Sequence, residues 1–152
     1  MYGSERISRR KLLVAGATAS TVTLAGCPGN NNDNNDVDLD QWEDIDEFYF
    51  EGVVEQWTGI EPDVIEDEEN PTLHLIEGQE YDFRWVNGDG VTHNLEIWDD
   101  DDEIIDDYQS DDVGEEGEET TLEGVVATEE MVTYVCQYHR TTQVGDLVVH
   151  EG

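Results

Sequence analysis

From about Phe48 onward the chain is a succession of short aromatic and β-branched runs, each closed by an acidic or glycine-containing turn. The runs are Phe48 to Gln56, Thr72 to Glu77, Tyr81 to Val86, His93 to Trp98, Thr120 to Val126, Met131 to Cys136 and Asp146 to His150. No long stretch carries the 3.6-residue period of a helix. Short strands at regular spacing predict an all-β sandwich or barrel. The turns support this: Glu77-Gly-Gln79 separates two runs, and Asn87-Gly-Asp-Gly90 supplies residues that tolerate positive φ. The acidic segments Asp99 to Glu103 and Asp111 to Glu119 read as solvated loops, and the run Asp99 to Glu103 lacks the spaced oxygen ligands and glycine of an EF-hand.

A chain of 152 residues has room for one modest domain plus extensions. Its 40 acidic and 6 basic residues give a formal charge of -34. Such a surface repels phosphate backbones, which excludes nucleic acid as a partner. It also repels itself, and concentrated salt relieves that repulsion because the Debye length shrinks from about 10 Å at 0.1 M to about 3 Å at 1 M. The composition resembles that of proteins from extreme halophiles.

The basic residues are concentrated at the start, in Arg6, Arg9, Arg10 and Lys11. Arg9-Arg10 precedes a weakly apolar stretch that runs to Leu24 and is too short to span a bilayer. This pattern predicts a twin-arginine export signal over residues 1–26. Leu24-Ala25-Gly26-Cys27 resembles a lipobox, which makes Cys27 the lipidated first residue of the exported protein. The Asn- and Asp-rich residues that follow predict a flexible linker over 27–47, with the folded domain over 48–152. Two cysteines in an exported chain suggest a disulfide by default. Lipidation of Cys27 instead leaves Cys136 as a lone thiol.

That thiol lies in Tyr134-Val-Cys-Gln-Tyr-His139, and His93 opens an earlier run as Thr-His-Asn94. A thiolate and two imidazoles at strand ends form the ligand set of a trigonal copper site, which takes a weak axial fourth ligand. The order and local sequence resemble the blue copper proteins, the cupredoxins of the plastocyanin and halocyanin type. The resemblance covers roughly Asn70 to His150: Asn-Pro-Thr-Leu73, Trp85-x-Asn87, His93-Asn94, Tyr134-x-Cys136-x-x-His139 and Gly145-x-Leu147-x-Val149. It implies an all-β Greek-key sandwich of two sheets and about seven or eight strands, and one type 1 copper ion held by His93, Cys136 and His139, with Asn94 tying the two ligand loops together behind them.

The family places an axial methionine two residues before the glycine matched by Gly145; here Gln143 stands there. An alignment with four residues between His139 and the axial position instead selects Val144, which cannot coordinate. A surface glutamine beside a three-coordinate copper is the other alternative. Gln137 and Tyr138 also depart from the serine or threonine and the proline common after the cysteine and before the second histidine. His74 and His150 fall outside the matched positions and read as structural or surface residues, and Arg140 as surface or as a contact for an acidic partner. The resemblance implies a monomeric, one-electron carrier between membrane redox proteins, lipid-anchored outside the cell membrane and not an enzyme. A copper-handling or metal-free interaction domain is the alternative.

Overall fold

The computed structural model describes residues 37–152, and Leu39–Gly152 form a compact unit. The expected export signal, lipobox and Cys27 lie outside the described residues. So does the first part of the expected linker, residues 27–36, but its end is part of the fold. A 3-10 turn over Leu39–Gln41 delivers Trp42, 5% exposed, onto the rings of Phe48 and His74.

Nine strands follow: β1 (Glu47–Val53), β2 (Gln56–Glu61), β3 (Leu73–Ile76), β4 (Glu80–Asn87), β5 (Glu96–Trp98), β6 (Ile104–Gln109), β7 (Glu119–Val126), β8 (Thr133–Val135) and β9 (Val144–His150). They form two sheets, in the orders β2-β1-β4-β7 and β3-β9-β8-β5-β6. The β1/β4 and β3/β9 pairs are parallel and the others antiparallel. The chain therefore crosses repeatedly between sheets, as a Greek-key sandwich requires.

Two strands escape the sequence pattern. Phe48 to Gln56 is not one run: the chain turns after Val53, and β2 pairs back along β1. The inward slot of Gly59 in β2 lies against the Ile65 carbonyl, where a Cβ would clash. A glycine there weakens the apolar alternation by which a strand is recognised. β6 is an edge strand with Ile105 as its buried residue, and Asp106 and Asp107 have φ of 51° and 61°. Charged, left-handed residues blunt an edge against further pairing, and they also erase the period-two signal.

The core is aromatic because alternate residues of β1 and β4 point inward. Their register places Phe48 beside Phe83, Phe50 beside Trp85 and Gly52 beside Asn87. Each of these is buried within the sandwich or, at Gly52 and Asn87, at its end. From the opposite sheet Tyr134 stacks on Phe50 at 5.2 Å and donates its hydroxyl to the Pro71 carbonyl at 2.5 Å. The outer face is held differently. Arg84 lies 3.7 Å over the Tyr49 ring and reaches Glu47, Glu61 and Glu119, so one cation relieves repulsion among acids of three strands. Surface ion pairs of this kind each contribute about 1 kcal/mol or less.

Tyr134 pairs across the ladder with Gly145, and its ring occupies the space a Cβ would need. Gly145→Ala is expected to lower stability by about 1–3 kcal/mol through overpacking. Urea unfolding of parent and variant in concentrated salt checks this, and an unchanged midpoint would contradict it.

His74 and His150 form a half-buried pair, with Nδ1 and Nε2 2.9 Å apart. Burial first, then the neighbouring His150, holds His74 below the usual imidazole range. Because the folded state resists protonation more than the unfolded one, this contribution is complete above the ordinary imidazole pKa. It is lost as the pH falls through the depressed folded value. Stability of the parent should therefore fall more between pH 7.5 and 5 than that of His74→Ala. Parallel pH profiles would remove the pair from the account.

Candidate metal centre

The residues singled out by the sequence meet at one end of the sandwich, where β1 and β4 finish and β9 begins. Their convergence starts with Asn87, the last residue of β4, which is 1% exposed. Its Nδ2 donates to the carbonyls of Val91 (2.7 Å) and Val113 (2.9 Å), and its Oδ1 accepts from the amides of Asp89 (3.1 Å) and Gly90 (2.6 Å). One side chain thus closes the Asn-Gly-Asp-Gly turn and fixes where the chain leaves it. Gly90, with φ of 75°, permits the reversal.

The chain then reaches His93, which lies ahead of β5 and not within a strand as the sequence suggested. It exchanges two backbone hydrogen bonds of 3.0 Å with Val113. This bridge and the edge of the Trp85 ring fix the imidazole, which is fully buried. Its Nε2 lies 2.8 Å from Asp89 Oδ1. An ionised carboxylate only accepts. His93 Nε2 therefore carries a proton, and in the neutral ring Nδ1 presents a lone pair.

Cys136 follows β8 directly, is fully buried and makes no disulfide among the described residues. The segment after it is a tight turn: the His139 amide donates to the Cys136 carbonyl at 3.1 Å, and the Gln143 amide to the His139 carbonyl at 2.9 Å. The Cys136 amide donates to the Gln143 carbonyl at 3.0 Å, closing the loop at its base. Asn94 joins the two halves, since its Oδ1 accepts from the Gln137 amide at 3.0 Å while its Nδ2 donates to Glu96 at 3.0 Å.

His93, Cys136 and His139 each present a ligand atom, all lying within 4.8 Å of one another. Nδ1 of His139 lies 3.2 Å from Nδ1 of His93, 3.5 Å from Cys136 Sγ and 3.2 Å from Gln143 Oε1. Gln143 is fully buried, which disposes of the surface glutamine. Its place depends on Gly52, where a Cβ would stand 2.9 Å from Gln143 Nε2 and 2.8 Å from the Trp57 ring.

Two imidazole nitrogens, a sulfur and an amide oxygen converge here with too few protons to satisfy them. His93 has committed its Nε2–H to Asp89, which leaves at most one N–H on His139 and the weakly donating S–H of Cys136 to serve the four atoms. A cation at the point of convergence satisfies all four, and the mixture of soft sulfur and imidazole fits copper or zinc. Burial raises the Cys136 thiol above its usual range, although neighbouring backbone hydrogen bonds oppose the shift. A metal ion would have to displace that proton. At Asp89 burial also works against ionisation, but hydrogen bonds from Val91, His93 and Val54 outweigh it and hold the carboxyl below its usual range.

Sequence reasoning missed Asp89, reading it as turn chemistry, and passed over Asn87 as a strand end. The visible signal was the Asn-x-Asp-x-x-x-His spacing. His74 and His150 stand apart as the pair described above, and Arg140 lies 5.2 Å over the Trp98 ring.

No protein-family model and no curated protein matches the chain. Among solved structures it is similar to reduced rusticyanin, with 18% identity over 68% of this chain and 78% of that one, TM-score 0.45. Rusticyanin from Thiobacillus ferrooxidans gives 18% identity over 68% and 76%, TM-score 0.45. A purple cupredoxin from Nitrosopumilus maritimus gives 25% identity over 52% and 77%, TM-score 0.39.

Proposed function

We propose that the chain is a mononuclear type 1 copper protein of the cupredoxin kind, carrying single electrons between membrane redox proteins without turning over a substrate. The observation that carries this reading is the convergence of His93 Nδ1, Cys136 Sγ, His139 Nδ1 and Gln143 Oε1 on one buried point. Copper, when bound, supplies a one-electron couple.

Cys136 gives up its proton and binds as the thiolate, the soft donor that suits Cu(I). His93 and His139 supply imidazoles that suit both oxidation states. Full burial of Cys136 and His93 excludes water, while His139 is part-exposed and offers the edge through which an electron can pass. Gln143 offers a harder donor than a thioether at the fourth position. This favours Cu(II) and a low potential. Hydrogen bonds around the loops hold the donors in place before any metal binds, so little rearrangement accompanies a change of oxidation state.

The full chain, metal-free and in concentrated salt, should take up one equivalent of Cu(II), develop an intense visible thiolate-to-copper band and give reversible one-electron voltammetry. A colourless protein that binds no copper would sink the reading and leave the metal-free interaction domain. Gln143→Met should raise the potential and alter the band; an unchanged potential and spectrum would remove Gln143 from the centre.

The same reading takes the carrier to be exported, monomeric and anchored through lipid on Cys27, with the acidic surface an adaptation to salt. A two-chain lipid gives stable anchoring where a single acyl chain gives only marginal binding. Cys27→Ser should move the protein from the membrane fraction to the medium. Retention of the variant in the membrane fraction would count against lipidation.

A further inference from the structure

The Asn-Gly-Asp-Gly turn contains more chemistry than a turn needs. Asp89 sits in a turn, yet its carboxylate is only 24% exposed. Oδ1 accepts from His93 Nε2 at 2.8 Å and from the Val91 amide at 3.0 Å, and Oδ2 accepts from the Val54 amide at 2.8 Å. Val54 belongs to the turn between β1 and β2. Its carbonyl in turn accepts from Thr142 Oγ1 at 2.5 Å, and the Thr142 carbonyl accepts from Asn70 Nδ2 at 2.9 Å. The carboxylate therefore ties the His93 side of the centre to the loop residue next to Gln143, through the backbone N–H and carbonyl of one residue, Val54.

We propose that Asp89 is the positioning residue of the centre: its carboxylate fixes His93 as the Nε2–H tautomer, orients the ring, and strengthens Nδ1 as a donor toward Cu(II). This rests on the copper reading only for its last clause. The tautomer follows from hydrogen bonding alone, because a carboxylate can accept but not donate. A carboxylate behind a ligating imidazole raises the basicity of the ring, and loss of such a partner typically costs about 10–100-fold in metal affinity. The effect is larger for Cu(II) than for Cu(I), since the more highly charged ion gains more from a stronger donor. Each tenfold difference between the two oxidation states corresponds to about 59 mV for a one-electron couple.

Three forms of the full chain, the parent, Asp89→Ala and Asp89→Asn, test this in concentrated salt. Ring 15N shifts of the metal-free proteins read the tautomer of His93. The parent should show Nε2–H alone, Asp89→Ala a mixture, and Asp89→Asn, which keeps an oxygen acceptor, a largely retained Nε2–H. Copper titration and voltammetry should then show Cu(II) affinity about 10–100-fold lower in Asp89→Ala and a raised potential. Asp89→Asn should fall between it and the parent. Should Asp89→Ala fail to fold, Asp89→Asn carries the test, with lowered affinity and raised potential at an intact tautomer. Folded variants with the parent's tautomer, affinity and potential would overturn the proposal. A parent that binds no copper fails the copper reading instead, and its 15N spectrum still decides the tautomer.

Discussion

The centre depends on the buried amide of Asn87 more than on any ligand residue. All of its hydrogen-bonding capacity is used, with two donated bonds and two accepted ones, three of them inside its own turn and the fourth to Val113. A buried amide leaves no cheap alternative, because each group left unpaired costs about 1–3 kcal/mol. The turn is therefore locked, and it launches Asp89 and His93 from fixed positions. Val113 is recruited by the same amide and then by the backbone of His93, so the long acidic loop before β7 becomes part of the frame. The parallel pairing of β1 with β4 places Gly52 next to Asn87, and Gly52 makes room for Gln143. The two sides of the site are thus set by neighbouring positions on two strands.

The acidic charge is partitioned with respect to this frame. Most carboxylates are on loops and outward strand faces, where water and salt screen them. The few acids drawn inward each have assigned donors: Asp89 takes His93, Val91 and Val54, and buried Glu96 takes Asn94 and the Trp98 indole at 2.7 Å. A buried charge is tolerated when hydrogen bonds replace its hydration. Both of these acids lie directly behind ligand loops. The net charge of the chain and the charge next to the centre therefore answer to different constraints, solvation in one case and orientation of donors in the other.

The sandwich class was legible because β1, β4 and β9 alternate inward and outward residues over their length, and turn residues mark their ends. β2 and β6 were not, since one buries a glycine and the other is an edge with two left-handed aspartates. At the centre, Cys136, His139 and Gln143 were legible as one local spacing, and His93 as the residue opening a distant run. Asp89 and Asn87 were hidden by their residue types. Asparagine and aspartate beside glycine signal a turn on their own, and nothing in one-dimensional spacing distinguishes a solvated turn carboxylate from one aimed at an imidazole. Trp42 was hidden for the opposite reason, as an aromatic within an acidic stretch that reads as tether.

Gln143 shows how the fold weighs packing against chemistry. Its Nε2 is buried with no hydrogen-bond partner, and it stands among Gly52, the Trp57 ring and the donor atoms of the centre. An apolar side chain of similar length would fill the same space without that cost of about 1–3 kcal/mol. Packing alone therefore selects against glutamine at this position. What glutamine supplies and an apolar residue cannot is Oε1, which is held within 3.2 Å of His139 Nδ1 while the amide nitrogen is turned away and left unpaired. With the amide flipped, a nitrogen that only donates would face the His139 imidazole in place of an oxygen that accepts. The uncompensated nitrogen is the structural consequence of aiming the oxygen.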